Sequence, residues 1–361
     1  MLDNVTMRAH GRVNLMGDHT DYNGGWVLPT IISQYTEVSI KKKSGSTIHL
    51  HSSLDPMRGE KREYRYDLGN EKPTGTWVDY LQGATKFLGE KMALRGESLG
   101  GLEAHISSNI PEGSGLSSSA ALEISFMKAL KEMFHFQIDD LEMARIGQRI
   151  ENEFVGARVG IMDQMASCFG RTGEALFLDT LKLSFQRVPL PLDLMEIMVI
   201  NSGISHRLSA QDGGYNERRA QCEEAARLLG VSFLREVSRE RLEVSELPET
   251  LMKRARHVVT ENERVITAVE AIRNRDPETL GKIFQESHNS LRDDYEVSIP
   301  EIDLLVSLCQ KEKNIFGARL TGGGFGGSIV ALTIKETKEE ISKRIIKIYE
   351  METGQKGTLL V

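Results

Sequence analysis

Apolar residues recur every three or four positions in several stretches of the chain, which is the spacing of one face of an α-helix. The clearest case follows the serine run at 117–119, where this spacing is kept by Ala121, Ile124, Met127, Leu130 and Phe134. The same spacing predicts further helices at 138–155, 215–229, 261–273 and 301–311.

Short alternating or β-branched stretches predict strands at 35–40, 102–106 and 328–334. These strands are interleaved with helices without a regular βαβ alternation, which indicates an α+β fold. The 361 residues are enough for two domains. VPLPLDL at 188–194 carries two prolines after a strand-like stretch, so we place the boundary between an N-terminal domain, 1–187, and a C-terminal domain, 188–361.

Composition and charge narrow the class of protein. The 45 basic against 52 acidic residues give a net charge of -7, a poor match to a polyanionic nucleic acid. The basic run at 41–43 is interpreted as the solvated end of a strand. No stretch reaches the roughly 18 apolar residues of a membrane span, and the first residues lack the apolar segment of a signal peptide. An odd number of cysteines without metal-ligand spacing favours a reducing, cytoplasmic location.

A glycine- and serine-rich turn, within NIPEGSGLSSSAALEISF at 109–126, lies between a predicted strand and a predicted helix. A helix start exposes unpaired N–H groups and the positive end of the helix dipole, and glycines let the backbone approach an anion. From these residues alone, phosphate binding and simple capping of the helix by the serines both stay open. The turn lacks the G-K-[ST] ending of a Walker A motif, so a P-loop fold is not predicted.

A second glycine-rich stretch, ARLTGGGFGGSIVALTI at 318–334, places Gly322, Gly324 and Gly327 at the G-x-G-x-x-G spacing. In dinucleotide-binding proteins this motif opens a helix and is followed by further βα units. Here it leads into a predicted strand with only 27 residues after it. We therefore reject a hydride-transfer enzyme.

Hydrogen-bonding side chains are concentrated in GRVNLMGDHTDYNGGWVLP at 11–29. So many donors and acceptors suit a sugar. The sequence D-Y-N-G-G is also typical of an ordinary polar turn, and the residues alone favour the turn over the sugar site. A direct metal site at Asp18 and Asp21 is the weaker interpretation, because no EF-hand or His-rich pattern surrounds them.

These three segments, in this order, resemble the three motifs of the GHMP small-molecule kinases, and the first resembles the galactokinase signature G-R-V-N-L-[IM]-G-E-H-T-D-Y-N. The similarity continues in RVGIMDQMAS at 158–167, INSGISHRLSAQDGGYNERRAQCEEA at 200–225 and SHNSLRDDYEVSIPEIDLLV at 287–306. It implies the GHMP kinase fold, with mixed sheets and helices, a ferredoxin-like C-terminal domain and an active site in the cleft between two domains. It also implies ATP- and Mg²⁺-dependent phosphorylation of the anomeric C1 hydroxyl of galactose.

The resemblance assigns roles by motif match. Asp163 corresponds to the catalytic aspartate and Arg12 to the arginine that approaches the transferring phosphoryl group. A carboxylate can accept the anomeric proton, and a cation offsets charge that develops on the phosphoryl oxygens. The implied ATP-binding residues are Gly113, Ser114, Gly115, Leu116, Ser117, Ser118 and Ser119, and the residues near Mg²⁺ are Ser119 and Glu151. The implied sugar-binding residues are Asp18, His19, Asp21, Gly160, Asp163 and Tyr215.

Three positions depart from the family pattern. Asp18 stands where galactokinases usually carry Glu, which removes one methylene from an acid expected near the C6 hydroxyl of the sugar. Val159 stands where Cys is common, and His10 replaces the usual Pro. Because a hydrogen-bonding site rejects substrates that leave its polar groups unpaired, the alternative is a sugar 1-kinase for arabinose, N-acetylgalactosamine, mannose or galacturonate.

Two other classes of function are less favoured. A galactose and ATP sensor that binds a transcriptional regulator is opposed by the presence of both SSSAA and Asp163. A GHMP kinase for mevalonate or homoserine would need a different first motif. The expected partners are therefore a sugar and ATP, without nucleic acid or membrane, and the chain is expected to be a monomer or a weak homodimer.

Overall fold

The structure is a computed structural model that describes residues 4–53, 62–111, 113–204 and 214–361. Its strands are β1 (Asn4–Asn14), β2 (Trp26–Val27), β3 (Pro29–Lys42), β4 (Thr47–Ser52), β5 (Glu63–Asp67), β6 (Leu102–Ser108), β7 (Glu174–Asp179), β8 (Ser184–Pro189), β9 (Met195–Asn201), β10 (Ile315–Thr321), β11 (Ser328–Ile334) and β12 (Thr358–Leu359). Its α-helices are α1 (Val78–Ala93), α2 (Ser118–Phe134), α3 (Asp140–Arg149), α4 (Met162–Phe169), α5 (Gly214–Leu228), α6 (Arg239–Glu243), α7 (Glu249–Arg273), α8 (Pro277–Asp293), α9 (Pro300–Gln310) and α10 (Lys338–Thr353).

Residue contacts divide the chain into two units. The first consists of Met1–Gly11, Ile32–Pro111 and Ser117–Phe169, and the second of Arg12–Ile31, Glu112–Leu116 and Gly170–Val361. The segments 12–31 and 112–116 are thus grouped with the C-terminal part of the chain. The boundary at 188–194, which divides the chain by sequence alone, stays a prediction.

The sheet of the first unit follows the alternation of its strands. β6 pairs antiparallel with β3 and parallel with β4, while β5 pairs antiparallel with β4. On β4, Ile48 and Leu50 are buried and His49 and His51 lie on the opposite face, because successive side chains of a strand alternate between faces. The helices α1 to α4 pack against one another, and α2 buries Ile124, as its apolar spacing predicted.

The second unit contains an antiparallel sheet in the order β10, β11, β9, β12. Helices α8 and α9 pack on β10, and α7 and α10 pack on α8 and α9, respectively. The fully buried side chains Met198, Ile200, Leu320, Ile329 and Ala331 belong to its core. In the same unit, β7 pairs with β2, with β8 and, at Thr30, with β3.

The predicted strands are confirmed by β3, β6 and β11, and the helices predicted at 215–229 and 301–311 by α5 and α9. The helix predicted at 261–273 is present, but it begins earlier, at Glu249. Its first half was not predicted because the buried face there carries the polar residues Arg254 and His257, which interrupt the apolar pattern. The basic run at 41–43 is solvated at the end of β3, as predicted. Within the described ranges, no helix is both long enough and apolar enough for a membrane-spanning segment.

Candidate functional site

The glycine-serine turn before α2 has an unusual backbone. Gly113, Gly115 and Ser117 have φ angles of 65°, 76° and 60°, so every second residue is in the left-handed region, which is uncommon for serine. Ser117 precedes α2 but makes no capping hydrogen bond with its side chain, and its buried Oγ has no partner among the described residues. Capping therefore does not explain Ser117. A strained turn with an unused hydroxyl at a helix start fits an anion such as phosphate.

Arg12 is attached to this turn within the second unit. The side chain is 4% exposed, and its Nη1 donates to the carbonyl of Gly115 at 2.5 Å. The backbone N–H of Arg12 donates to the carbonyl of Leu116 at 3.1 Å. A guanidinium is therefore held beside the segment in which the sequence predicted ATP phosphates, with Ser114 anchored by the hydroxyl of Ser328 at 2.8 Å.

The second glycine-rich stretch leads into a strand, β11, as predicted, and it joins this strand to the antiparallel β10, which was not predicted. Gly322 has a φ of 89°, and a Cβ at this position would lie 2.9 Å from the carbonyl oxygen of Gly115. The turn can approach the 113–116 segment so closely only because residue 322 has no side chain. These glycines serve backbone packing and do not open a helix.

Ser119 and Glu151, the two predicted residues near Mg²⁺, are in direct contact. The Ser119 hydroxyl donates to Glu151 Oε1 at 2.9 Å. Glu151 is buried and lies in a π-helical turn, residues 150–155, that continues α3. The single helix predicted at 138–155 therefore changes character at its end, and such wide turns occur frequently at functional sites.

Gln164 connects this pair to a third carboxyl group. Its Nε2 donates to Glu151 Oε1 and to Glu123 Oε2, each at 3.3 Å. Burial and the neighbouring charges of Glu151 and Asp163 raise the pKa of Glu123 well above its usual range. The raised pKa favours the neutral form of Glu123 beside Glu151, which reduces the repulsion between two adjacent buried carboxyl groups.

The donor set of Ser119 and Glu151 fits Mg²⁺. This ion takes hard oxygen ligands and is commonly held by one or two carboxylates together with substrate phosphates. Asp163 lies in the first turn of α4, half-buried, directly before Gln164. The positive end of a helix dipole favours a carboxylate at that position. Gly160 is buried in the segment that leads into this helix.

Asp18 is held from two sides in the second unit. It is 1% exposed. Its Oδ1 accepts the N–H of Gly322 at 3.1 Å, and its Oδ2 accepts from the guanidinium of Arg319. Burial raises the pKa of Asp18, and the charge of Arg319 opposes that rise. The Asp18 carboxylate is therefore held by a backbone N–H and a guanidinium of the second unit.

His19 is a buried neutral imidazole surrounded by aromatic rings. Burial, together with the charges of His257 and Arg218, lowers its pKa well below the usual range. Its Nδ1 bonds the hydroxyl of Tyr22 at 2.9 Å, and its Nε2 makes no well-formed hydrogen bond to the described residues. The ring of Tyr215, at the start of α5, has its centroid 5.4 Å from that of His19. His19 and Tyr215 are therefore brought together.

Asp21 has a local structural role in addition to its predicted one. Its Oδ1 accepts the N–H of Tyr22 at 2.9 Å, and it begins the one-turn helix Asp21–Asn23, which ends at Gly24 with a φ of 69°. The segment is thus the polar turn that its sequence suggested, and this turn fixes the positions of His19 and Asp21.

The sequence analysis missed a buried charge network behind Asp18. Glu261, on α7 and fully buried, accepts the N–H of Gly17 at 3.0 Å and the Nε–H of Arg264 at 2.7 Å, and its Oε1 lies 3.7 Å from Arg319. Burial opposes ionisation of Glu261, but Arg264 and Arg319 lower its pKa to about 2. His257 Nε2 bonds the carbonyl of Asp18 at 3.1 Å. The signal of this network in the sequence is Arg319, a charged residue three positions before Gly322.

Family models match three parts of the chain. The galactokinase galactose-binding signature matches residues 3–42, the GHMP kinase N-terminal domain 79–171 and the GHMP kinase C-terminal domain 268–350. Curated relatives include the galactokinase of Thermotoga neapolitana, 41% identical over 96% of this chain and 94% of the relative. The Haemophilus influenzae galactokinase is 41% identical over 100% of this chain and 93% of the relative.

Solved structures give the same assignment of fold. A Lactococcus lactis galactokinase complexed with galactose has a TM-score of 0.92 and 33% identity, covering 99% of this chain and 93% of that chain. The Methanococcus jannaschii mevalonate kinase has a TM-score of 0.68 and 19% identity, covering 99% of this chain and 97% of that chain. At this identity the similarity shows the fold alone. The two-domain α+β fold predicted from the sequence is thereby confirmed.

Proposed function

The chain belongs to the galactokinase family of the GHMP kinases, and on that premise we propose that it transfers the γ-phosphoryl group of ATP to the C1 hydroxyl of galactose. The products are galactose 1-phosphate and ADP. The observation that carries the proposal is the contact of Ser119, Glu151 and Gln164 directly beside Asp163. A protein that only sensed the two ligands would have no need of this arrangement of a general base next to an oxygen donor set for a metal.

Asp163 accepts the proton of the C1 hydroxyl as its oxygen attacks the γ-phosphorus. The new C1–O–P bond forms while the bond from the γ-phosphorus to the β-γ bridging oxygen breaks. Arg12 offsets the charge that develops on the phosphoryl oxygens, and the turn 113–119 binds the phosphates through backbone N–H groups and serine hydroxyls. Phosphoryl transfer depends chiefly on positioning and electrostatics, so the anchoring of Arg12 on Gly115 is part of catalysis.

Ser119 and Glu151 would hold Mg²⁺ together with phosphate oxygens of ATP. The ion neutralises phosphate charge when it is bound. Gln164 keeps the Glu151 carboxylate oriented, because its amide donates to the oxygen that also accepts from Ser119.

The sugar would be recognised by Asp18, His19, Asp21, Tyr215 and the backbone at Gly160. A neutral His19 can accept or donate a hydrogen bond to a hydroxyl, depending on its tautomer. Asp18 is shorter by one methylene than the usual Glu, so we expect any altered preference to concern C6. Mevalonate is disfavoured as acceptor, because the relatives that match at 41% identity are galactokinases.

Initial rates of ADP formation with Mg²⁺ on galactose, arabinose, N-acetylgalactosamine, mannose and galacturonate test the substrate. We expect galactose to give the highest kcat/KM and phosphorus NMR to show a sugar phosphate esterified at C1. Activity on another sugar with none on galactose would refute the substrate assignment. The absence of sugar-dependent ATP consumption on every acceptor would favour a sensor instead.

The substitution Asp163→Asn tests the mechanism. It is expected to reduce kcat by at least about 100-fold, the range of general-base catalysis, while the Kd for ATP changes little. The exposed Asp193→Asn serves as the control and should retain full turnover. An Asp163→Asn enzyme with unchanged kcat would remove Asp163 from its role. We further propose a cytoplasmic location, which the three free cysteines suit.

A further inference from the structure

Four side chains of types that can bind metal ions lie on the outer face of the first unit's sheet. β4 and β6 run parallel, and their register places His51 opposite His105 and His49 opposite Glu103. Residues two apart on a strand share a face, so these four side chains lie on the face opposite the buried Leu50 and its neighbours. None of them takes part in the kinase chemistry proposed above.

The donor atoms of His51, Glu103 and His105 converge. The Nε2 of His51 lies 3.5 Å and the Nε2 of His105 lies 3.4 Å from the same oxygen, Oε1 of Glu103. All three donor atoms lie within 4.8 Å of one another. The imidazole rings are stacked with their centroids 4.8 Å apart and an interplanar angle of 13°.

The two nitrogen–oxygen spacings are those of a first coordination shell, and the two imidazole nitrogens lie within 4.8 Å of each other. With metal–ligand bonds of about 2.0–2.1 Å, two ligands of a tetrahedral ion lie about 3.3–3.4 Å apart. Each observed nitrogen–oxygen distance is within about 0.2 Å of that value. An ion between the three groups would therefore need small side-chain movements and no change of the strands.

Neighbouring charges orient the donors. The ammonium of Lys43 contacts Glu103 Oε2 at 2.6 Å, which leaves Oε1 directed at the two imidazoles. Glu63 Oε1 lies 3.4 Å from Nδ1 of His51. A carboxylate on the second ring nitrogen is the usual support of a metal-bound histidine, because it fixes the tautomer whose Nε2 carries the lone pair.

We propose that His51, Glu103 and His105 bind one divalent transition-metal ion of the Zn²⁺, Ni²⁺ or Cu²⁺ class. Two imidazoles and one carboxylate are the ligands that such ions prefer, whereas Mg²⁺ prefers oxygen alone. The site is therefore chemically distinct from the Ser119 and Glu151 pair. Its open side faces solvent, since His105 is 63% exposed, so water completes the coordination.

Isothermal titration of the chelator-treated full chain with Zn²⁺ alone, and separately with Ni²⁺ alone, tests the proposal at pH 7.5. We expect one saturable site, weakened at least tenfold by His51→Ala and by His105→Ala. His49→Ala is the matched control, because it removes an imidazole from the same face without removing a ligand, and it should bind like the native chain. Loading with Co²⁺ should give the intense visible absorption of a tetrahedral site in the native chain and in His49→Ala, and not in His51→Ala or His105→Ala.

The proposal is overturned if the native chain shows no saturable binding, or if both ligand variants bind Zn²⁺ as tightly as His49→Ala. The variants are surface changes, so their thermal unfolding and their Mg²⁺-dependent kinase activity should equal those of the native chain. These two measurements show that a loss of metal binding is not a loss of the fold.

Discussion

Glu261 offers the sharpest test of the buried network behind the sugar-binding turn. The substitution Glu261→Gln keeps the size of the side chain and removes its charge. Arg264 and Arg319 would then face each other without the carboxylate that lies 2.7 Å and 3.7 Å from them. The side chain of Arg319 is fully buried on β10, so it cannot reach water without unpacking its surroundings, whereas 13% of the Arg264 side chain is exposed.

The expected cost follows from two estimates that agree. Removing one partner of a buried ion pair destabilises a protein by about 3–5 kcal/mol. The pKa of Glu261 falls from 4.5 to about 2 on folding, and at about 1.36 kcal/mol per pKa unit this corresponds to roughly 3 kcal/mol. For a unit of 150–250 residues, about 3 kcal/mol lowers the Tm by roughly 6–12 °C.

The sign of the pH dependence is also fixed. Because the folded-state pKa is below the unfolded value, the contribution of Glu261 is complete above pH 4.5 and is lost as the pH falls towards 2. The difference in stability between the native chain and Glu261→Gln should therefore be constant from pH 7 to about pH 5.5 and shrink below pH 4.5.

Urea unfolding followed by tryptophan fluorescence at several pH values measures this difference. Glu263→Gln is the matched control, since Glu263 lies two residues away on α7, is half-exposed and pairs with the exposed Arg239. It should change the unfolding free energy by less than about 1 kcal/mol. If both variants unfold alike at pH 7, Glu261 does not compensate the two arginines and the electrostatic argument fails.

Three further changes follow from the same structure. The free energy of unfolding should fall less between pH 6.5 and pH 4 in His257→Gln than in the native chain. Burial lowers the pKa of His257 to about 4, so in this pH range only the unfolded native chain binds a proton at His257. Unfolding free energies of the variant and the native chain with the same pH dependence would contradict this. Gly322→Ala should raise the KM for ATP, because the new Cβ would lie 2.9 Å from the carbonyl oxygen of Gly115. Gly45→Ala is the control: its φ of 85° gives a similar backbone strain, but no atom lies within 4 Å of the new Cβ, so the KM should be unchanged. Asp18→Glu should lower the free energy of unfolding by about 1–3 kcal/mol through overpacking, and it should change the kcat/KM for galactose relative to that for arabinose. Thermal unfolding and initial rates equal to those of the native chain would show that the pocket has room for the additional methylene.

Much of the fold could be predicted because strands and helices in this chain keep their own periods. The strand at 328–334 has the bounds of β11, since its run of apolar residues is ended by glycine on one side. The first half of α7 was missed, because its buried face carries Arg254 and His257, and a hydrophobic pattern does not register polar groups that are buried in pairs. The π-helical turn at 150–155 was also missed, as helical periodicity does not distinguish a wide last turn from an α-helical one.

The resemblance to the GHMP kinases predicted the residues of the candidate site, but it did not predict the residues that support them. Ser119 and Glu151 are 32 residues apart, and no local pattern of either predicts the contact that the fold produces. Gln164 and Glu123 complete that contact. Glu123 stands on α2, which the apolar pattern already explained, and Gln164 stands on α4, which was not among the helices predicted from that pattern. Residues that act through another side chain leave a weaker trace in one sequence than residues that bind substrate.

The short acid at position 18 becomes understandable through what it contacts. Asp18 holds the N–H of Gly322, Gly322 lies against the carbonyl of Gly115, and that carbonyl accepts from Arg12. A residue expected on the sugar is thus connected, through two glycines, to the arginine expected on the phosphoryl group. Lengthening Asp18 would displace Gly322 and act on both ends of this chain of contacts. A change confined to the sugar pocket would alter only the KM for galactose, whereas the connection requires the KM for ATP to change with it.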